Sequence, residues 1–355
     1  MADRYWVGGT GTWGAGATTN WSASSGGASG ASQPTSADNV FFNGSSGGGT
    51  CTLGTGTLAC ADFVATGYTG TITGSTRTIG FYGTTITFGS GMTFGPVSIL
   101  DFRSTGSCSI TTNGISLTVN SLLRILAAGT FTLQDDLTII TGRLSFQSTG
   151  HTFDANNHDI VCAGIANAAA GTVNMGSGTW TLNGAGSSGS IWSTHTSETI
   201  NAGTSTVHLT GTYATAQAFE GDGKTWYNLN VDQASGTLDI EGSSTFNNIT
   251  IQPGKTVHFQ DGTTQTVSSF TASGTVSDGI TLTGTSTAGW SISDTSGTNS
   301  VTYCTISYST ATGGATWESL TDDGNVNGGS NTGWIFNYFT PSPMMHMMGA
   351  SGGLM

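Results

Sequence analysis

The chain has 355 residues, a net charge of −13 and only seven lysine and arginine residues, which are scattered singly along the sequence. Nucleic acids and anionic membranes are bound through clustered basic side chains, so this composition excludes both as partners. The 56 glycines would ordinarily predict disorder, but only 8% of the residues are charged, which argues against an ordinary disordered segment.

The first 45 residues form a distinct module with three regularly spaced tryptophans, Trp6, Trp13 and Trp21. We expect this module to be a cap or an attachment element in which the rings cover a core, and we take the three tryptophans as candidate assembly residues. An aromatic platform on which a carbohydrate stacks is the alternative. The N-terminal segment 1–6 carries charges where a signal peptide needs apolar residues, so we expect no secretion by such a signal.

Between residues 46 and 320, short runs of alternating apolar and polar residues are separated by glycine and other turn residues. Examples of these runs are 71–73, 85–88, 115–119, 131–133, 137–140, 237–241, 256–260 and 280–283. The segment 121–128 comes closest to a helical period, but glycine and β-forming residues flank it. The pattern therefore predicts an all-β fold, and no run is apolar and long enough to span a membrane.

Strands at this spacing fit a sandwich, a barrel or a solenoid. Because the strands are very short and tight hairpin signals do not separate every pair, we expect a right-handed parallel β-helix (a β-solenoid) over 46–320. At roughly 20–25 residues per coil, this range would form about eleven to thirteen coils. Stacked at ~4.8 Å, they would make a rod of roughly 55 Å. Glycine would supply the positive φ angles that the corners of the coils need.

The C-terminal part changes character at about residue 321. We expect 321–340 to be an aromatic closing strand and 341–355 to be an extended, methionine-rich docking tail or oligomer clasp, because methionine fills irregular apolar grooves well. A disordered terminus and a Met/His copper site around His346 are the alternatives. The candidate assembly residues of the tail are Met344, Met345, Met347 and Met348.

The five cysteines show no C-x-x-C spacing, and their odd number leaves at least one unpaired within the chain. We expect them to be small buried apolar residues, with a Cys51–Cys60 disulfide as the alternative. No metal site and no cofactor are expected. The cysteines are Cys51, Cys60, Cys108, Cys162 and Cys304.

Three acidic pairs are the candidates for catalysis: Asp135 with Asp136, Glu220 with Asp222, and Asp322 with Asp323. Glycosidases need two carboxyl groups about 5–9.5 Å apart, and neighbouring coils could supply that geometry. All three pairs lie beside glycines or polar turn residues, so we favour solvated turns. A polysaccharide lyase would need basic side chains that this chain scarcely has. Thr-x-Thr triplets invite an ice-binding hypothesis, but their spacing is irregular.

Motifs at both ends resemble the Gly/Thr-rich surface proteins of tailed bacteriophages, such as tail fibres, tailspikes or head decoration proteins. The motifs are YWVGGTGTW, TNWS and the segment 34–42 near the N-terminus, then VTYCTISYS, GATW and NTGWIF. The resemblance implies a virion structural protein with a parallel β-helix, often trimeric, and it assigns no catalytic residue.

The sequence therefore predicts a non-enzymatic virion protein that is assembled in the host cytoplasm. Its expected partners are other capsid or tail proteins, two further copies of the same chain in a homotrimer, and a host surface glycan. Two alternatives remain: a tailspike-like glycosidase that acts on host polysaccharide, and a cell-surface adhesin with no role in a virion.

Overall fold

The computed structural model describes residues 1–14, 16, 18–184 and 189–337. These residues form 38 β-strands and two short 3₁₀ helices, Gly44–Ser46 and Thr321–Asp323, and contain no α-helix. The methionine-rich tail, with its candidate residues Met344, Met345, Met347 and Met348, lies outside the described residues.

The strands follow one another with short connections along the whole described chain. The first are β1 Asp3–Trp6, β2 Gly11–Trp13, β3 Trp21–Ser22, β4 Asn39–Phe41, β5 Thr50–Leu53, β6 Leu58–Cys60, β7 Phe63–Val64, β8 Thr71–Phe81, β9 Thr85–Thr87, β10 Thr93–Phe102, β11 Ser107–Thr111 and β12 Ser116–Ile125. Next come β13 Thr130–Leu133, β14 Leu137–Ile140, β15 Arg143–Phe146, β16 Thr152–Asp154, β17 Ile160–Cys162, β18 Ile165–Asn167, β19 Thr172–Asn174, β20 Thr179–Leu182, β21 Ser190–Ser193, β22 Thr199–Asn201, β23 Thr206–Leu209, β24 Gln217–Glu220 and β25 Thr225–Val231. The last are β26 Thr237–Glu241, β27 Thr245–Ile251, β28 Thr256–Phe259, β29 Thr264–Val267, β30 Phe270–Ser273, β31 Ile280–Gly284, β32 Trp290–Ser293, β33 Thr298–Thr302, β34 Cys304–Ile306, β35 Ser309–Thr312, β36 Thr316–Glu318, β37 Val326–Asn327 and β38 Trp334–Ile335.

Each coil contributes a strand, or half of a long bent strand, to each of three parallel sheets. Sheet 1 contains β1, β4, β7, β9, β11, β13, β16, β19 and β22 and is continued by β25, β27, β29, β32 and β35. Sheet 2 contains β2, β5, β8, β10, β12, β14, β17, β20, β23, β25, β27, β30, β33, β36 and β38. Sheet 3 contains β6, β8, β10, β12, β15, β18, β21, β24, β26, β28, β31, β34 and β37.

The chain makes about 13 turns, so the predicted all-β, parallel β-solenoid fold is confirmed. Coil length varies along the stack: in sheet 3 Leu58 pairs with Ile79, whereas Trp192 pairs with Phe219, which lies further along the chain from its partner. The longest coils therefore exceed the expected length. At ~4.8 Å per turn, the stack is about 60 Å long. The segment 121–128 lies mainly in β12 and is not helical.

The core is one continuous column inside the three sheets. Along each strand the side chains alternate between this column and the outside, as in β26, where Leu238 and Ile240 are buried and Asp239 points outward. Aromatic rings stack from coil to coil, and the ring centroids of Phe259 and Trp290 lie 3.9 Å apart. All nine tryptophans of the chain are buried in this column.

Glycines and carboxylates fix the corners where one strand turns into the next. Gly203 has a φ of +59°, and a Cβ atom there would lie 2.2 Å from the carbonyl oxygen of Gly176, one coil below. Two aspartates accept hydrogen bonds from backbone N–H groups of the next coil: Asp62 from Thr84 at 2.7 Å and Asp159 from Thr179 at 2.7 Å. The corners are thus built by glycines with positive φ and by side chains that cap free N–H groups.

The N-terminal module closes one end of the solenoid. β1 pairs antiparallel with β3, with Trp6 opposite Trp21, while β1 and β4 pair in parallel as the first members of sheet 1. The sheets therefore run without a break across residue 45. At the other end, β38 pairs with β36, so Trp334 extends sheet 2 over the last coil.

Candidate functional site

The three N-terminal tryptophans lie inside the cap, and none of their surface is exposed. The ring centroid of Trp21 is 5.2 Å from that of Trp6 and 5.3 Å from that of Trp13, both in edge-to-face contact, and Phe42 packs beneath them. A ligand has no access to these rings, so the carbohydrate-stacking alternative is excluded at this site. An assembly role for the three tryptophans remains a prediction. Because their rings are buried, they could contribute to assembly only by shaping the cap.

The five cysteines are all free and buried, so the expectation of small buried apolar residues is confirmed. The alternative Cys51–Cys60 disulfide is wrong, because the thiols of both residues are free. Burial raises the pKa of the Cys162 thiol to about 11 and that of Cys108 to about 12. Within the described residues, no group of three or more His, Cys, Asp or Glu side chains is placed to hold a metal ion.

Two of the three acidic pairs act as corner elements. Asp135 Oδ1 accepts a hydrogen bond from the N–H of Thr112 at 2.7 Å, and Asp136 Oδ1 accepts one from the N–H of Asp159 at 3.0 Å. Asp322 and Asp323 form the exposed 3₁₀ helix Thr321–Asp323. The predicted turn role of these pairs therefore agrees with their positions.

The third pair lies in a patch of carboxylates on the outer surface of sheet 3. Glu220 in β24 is the register partner of Glu241 in β26, and both point outward. Asp239 precedes Glu241 by two residues on the same side, and its Oδ1 lies 3.2 Å from Nδ1 of His258 in β28. Asp222 has a φ of +49° in the turn that follows β24. We call Glu220, Asp239, Glu241 and His258 the carboxylate patch.

The patch is electrostatically strained because acids face each other across adjacent strands. Burial raises the pKa of Glu241, and the neighbouring carboxylates Glu220, Asp239 and Asp222 raise it further. Burial also raises the pKa of Asp239, while the charge of His258 and its hydrogen bond act in the opposite direction. A raised pKa favours the protonated form of a carboxyl group, which is the form that a general acid needs.

A groove of about 700 Å³ lies beside the patch, at the corner where sheet 2 meets sheet 3. Arg143 lies in this groove and donates from one NH₂ group to the carbonyl oxygens of Ile165 and Ser190, at 2.7 and 2.6 Å. The hydroxyl of Ser190 in turn donates to Glu220 Oε1, which links the groove to the patch. Gln217 and Asn183 add amide groups to the lining. Such a mixed polar and apolar lining suits a hydroxylated ligand.

A second polar cluster contains two titratable side chains, His151 and Glu198, that are fully buried in the solenoid. Nε2 of His151 is 3.8 Å from Oε1 of Glu198, and Asn167 Nδ2 donates to the other carboxylate oxygen of Glu198. Nδ1 of His151 lies 2.7 Å from the carbonyl oxygen of Ser148, so Nδ1 carries a proton. Burial raises the pKa of Glu198 to about 7 and lowers that of His151.

Glu220 is a candidate that the sequence predicts, but its partners in the carboxylate patch are not. Glu241, Asp239 and His258 become neighbours of Glu220 only through the inter-coil register, which the sequence does not state. The usable signal is that Glu220 and Glu241 are separated along the chain by the same interval as Leu58 and Ile79, which is one coil of sheet 3. The buried His151–Glu198 pair had no such signal, because these residues precede β16 and β22, two coils apart, and meet only because Gly171 occupies the same place in the coil between them.

Comparisons with protein-family models, with curated proteins and with solved structures found no match for this chain. In the described part of the chain, no helix has the length and apolar character needed to cross a membrane. Three features of the chain therefore bear on its function: the geometry of the solenoid, its polar clusters and the resemblance at the two ends of the sequence.

Proposed function

We propose that this chain is a non-enzymatic structural protein of a tailed-phage virion, an appendage or decoration protein on the head or tail surface. The proposal rests on one observation: a capped β-solenoid occurs together with motifs at both ends of the chain that resemble those of phage surface proteins. In the fold, the motif residues Trp6, Trp13 and Trp21 build the cap, and Trp317 and Trp334 lie in ring contact at 5.2 Å in the last coils. The resembling segments are thus the two ends of the rod.

A parallel solenoid suits a mechanical and adhesive role. The backbone hydrogen bonds between coils run along the rod, so a pull along the axis loads many of them together. The outer residues of many strands are threonine, serine and asparagine, as in β27, β31 and β32, and such a surface offers hydroxyl and amide groups to a neighbouring protein or a glycan. Other virion proteins and a host surface glycan are the partners in this proposal.

The test is the location of the protein. Mass spectrometry of gradient-purified particles is expected to detect the chain in stoichiometric amount, and immunogold microscopy is expected to mark one structure, head or tail. Its absence from washed particles, together with its presence on the cell surface, would overturn the virion proposal in favour of a cell-surface adhesin.

The proposal includes a homotrimer, because weakly charged faces of a rod are readily shared around a symmetry axis. Light scattering of the purified full-length chain is expected to give three times the 36.0 kDa mass of one chain. A stable monomer at micromolar concentration would contradict the trimer, and it would leave the virion location to be decided by the particle experiment.

A second candidate function, hydrolysis of host polysaccharide, is favoured by the register of Glu220 and Glu241. Strands in a sheet lie about 4.7–4.9 Å apart, and retaining glycosidases place two carboxyl groups about 5–5.5 Å apart. Glu241, with its raised pKa, would be the general acid, and Glu220 would be the nucleophile. The adjoining groove of about 700 Å³ would hold the glycan.

Reducing-end assays on a panel of bacterial polysaccharides separate the two functions. If the chain is a glycosidase, Glu220→Gln and Glu241→Gln each abolish cleavage, while Asp278→Asn, which changes an exposed turn carboxylate, retains it. The structural proposal expects no cleavage by the unmodified protein on any member of the panel.

A further inference from the structure

Three of the seven basic residues, although scattered in the sequence, come together on the outer surface of sheet 3 near the N-terminal cap. Asp101 in β10 is the register partner of Arg124 in β12, and Arg77 and Arg103 line the same groove as Asp101. The chain carries a net charge of −13, so a cluster with three positive charges and one negative charge is a local exception. Its formation depends on coil register, which places residues of successive coils side by side.

The arginines differ in how much of their hydrogen-bonding capacity is used within the fold. Asp101 is almost fully buried and accepts two hydrogen bonds from Arg124, at 2.7 and 2.9 Å, in a bidentate pair. Arg103 donates only one NH₂ group to Asp101, at 3.0 Å, and 37% of its side chain is exposed. Among the described residues Arg77 forms no ion pair. Arg77 and Arg103 therefore keep N–H donors available to a ligand.

An exposed aromatic ring lies beside these donors. Tyr82 is 39% exposed, and the guanidinium carbon of Arg103 lies 5.8 Å from the centre of its ring. The ring lies over Gly80, where a Cβ atom would come within 3.0 Å of Tyr82 Cε2. All nine tryptophans are buried, so Tyr82 is one of the few aromatic faces that the described surface offers.

Two concave spaces meet at Tyr82. One, of about 320 Å³, contains Thr57, Arg77 and Arg103, and the other, of about 360 Å³, lies between Pro34 and Tyr82 and also includes Thr57. Each is at the lower end of the size range of ligand pockets. We call the surface formed by Thr57, Arg77, Tyr82 and Arg103 the arginine groove.

The nearby acids are already engaged within the fold. Asp38 accepts hydrogen bonds from the N–H and the hydroxyl of Thr35, at 3.1 and 2.7 Å, and from the N–H of Ala2. Asp62 accepts hydrogen bonds from the N–H groups of Thr84 and Thr85. Neither carboxylate neutralises Arg77, so the groove keeps a positive field that attracts anions.

We propose that the arginine groove binds a carboxylated saccharide. The guanidinium groups of Arg77 and Arg103 would bind the carboxylate of a uronic or sialic acid unit, because their planar N–H pairs match a carboxylate. The ring of Tyr82 would pack against the apolar face of a sugar, and the hydroxyl of Thr57 would bond a ring hydroxyl. The inference deepens the adhesive part of the proposed function by naming a ligand class and a location. It is tested on the purified protein, independently of where the chain lies in a particle.

The test is calorimetric titration with oligomers of galacturonate, glucuronate and sialate, each compared with its methyl ester. At least one acid is expected to bind, and its ester, which keeps the rings and loses the charge, is expected to bind at least tenfold more weakly. Arg77→Ala and Tyr82→Ala should each weaken binding roughly tenfold. Arg77 is the safer variant, because its removal breaks no ion pair of the fold.

The matched control is Lys224→Ala, which also removes one positive charge but lies far from the groove; the ammonium group of Lys224 donates a hydrogen bond to the carbonyl oxygen of Thr196. It is expected to bind the acid as the unmodified protein does. Equal binding of acid and ester, an equal loss in Lys224→Ala, or no binding of any acid would overturn the proposal. Full competition by an equal concentration of inorganic phosphate would also overturn it, because it would show a plain anion site that does not recognise sugar.

Discussion

At the residue scale, the cysteines are shielded from the solvent and from ionisation. Burial raises the pKa of Cys162 to about 11 and that of Cys108 and Cys304 to about 12. The thiolate is the reactive form, so we predict that the native protein resists alkylation at neutral pH and that all five thiols react in concentrated guanidinium. Mass spectrometry after iodoacetamide treatment measures this. Rapid labelling of any cysteine in the folded protein would contradict the prediction.

The buried pair of His151 and Glu198 makes stability depend on pH. Because Nδ1 of His151 donates to the carbonyl oxygen of Ser148, Nε2 presents a lone pair to Glu198 when the histidine is neutral. Two acceptors then face each other unless Glu198 holds a proton. This agrees with the raised pKa of Glu198, whose main cause is burial.

We predict that Glu198→Gln becomes progressively more stable, relative to the unmodified protein, as the pH rises from 5 to 8. The pKa of the Glu198 carboxyl is 4.5 in the unfolded chain and about 7 in the folded protein. As the pH rises, the unfolded state therefore releases this proton first. The stabilising contribution of the protonated form is lost as the pH rises through about 7. The change is at most about 3 kcal/mol. The lowered pKa of His151 acts in both proteins and largely cancels in the difference. Thermal melts of both proteins at several pH values measure this difference in stability. A difference that stays constant with pH would contradict the prediction.

At the scale of the strand and its corner, much of the solenoid could be predicted. Alternation in segments such as 237–241 marked strands, because one side of each strand must be buried, and the frequent glycines indicated corners. Inter-coil register was not predictable, since the interval between paired residues is shorter for Leu58 and Ile79 than for Trp192 and Phe219. The carboxylate patch and the arginine groove depend on that register. The fold could therefore be predicted from the sequence, but the carboxylate patch and the arginine groove could not.

A corner can require glycine for two reasons, a positive φ angle or a lack of space for a Cβ atom, and three glycines allow these reasons to be tested separately. Gly203 has positive φ and would clash, Gly262 has positive φ in open space, and Gly106 has neither constraint. We predict that Gly203→Ala costs the most, about 2–4 kcal/mol, and Gly262→Ala about 1–2 kcal/mol. Gly106→Ala should be neutral or stabilising by up to about 1 kcal/mol. Urea unfolding of the three variants measures the order, and equal losses would contradict it.

At the scale of the whole molecule, each coil contacts mainly the coil above and the coil below. The free energy of unfolding of such a protein is approximately a sum of terms for single coils and for the interfaces between neighbouring coils. Because an end coil has only one such interface, local unfolding begins at the ends of the solenoid. The tryptophan cap covers the first coils at one end. Its removal should therefore expose the neighbouring coils first, and coils many levels away should feel little of the change.

We predict that Trp21→Ala speeds amide hydrogen exchange in β1, β4, β5 and β7 while leaving exchange in β28 to β32 nearly unchanged. The ring is fully buried against Trp6, Trp13 and Phe42, so its loss should cost about 3–5 kcal/mol of local stability. The matched control is Trp290→Ala, which removes an equally buried ring that stacks on Phe259 at 3.9 Å in a distant coil. It should speed exchange around β28, β31, β32 and β35 and spare the cap. Exchange measured by mass spectrometry on both variants decides the matter: two local, non-overlapping effects would identify the cap as an end seal, whereas a uniform increase in either variant would mean that the rod unfolds as a single unit.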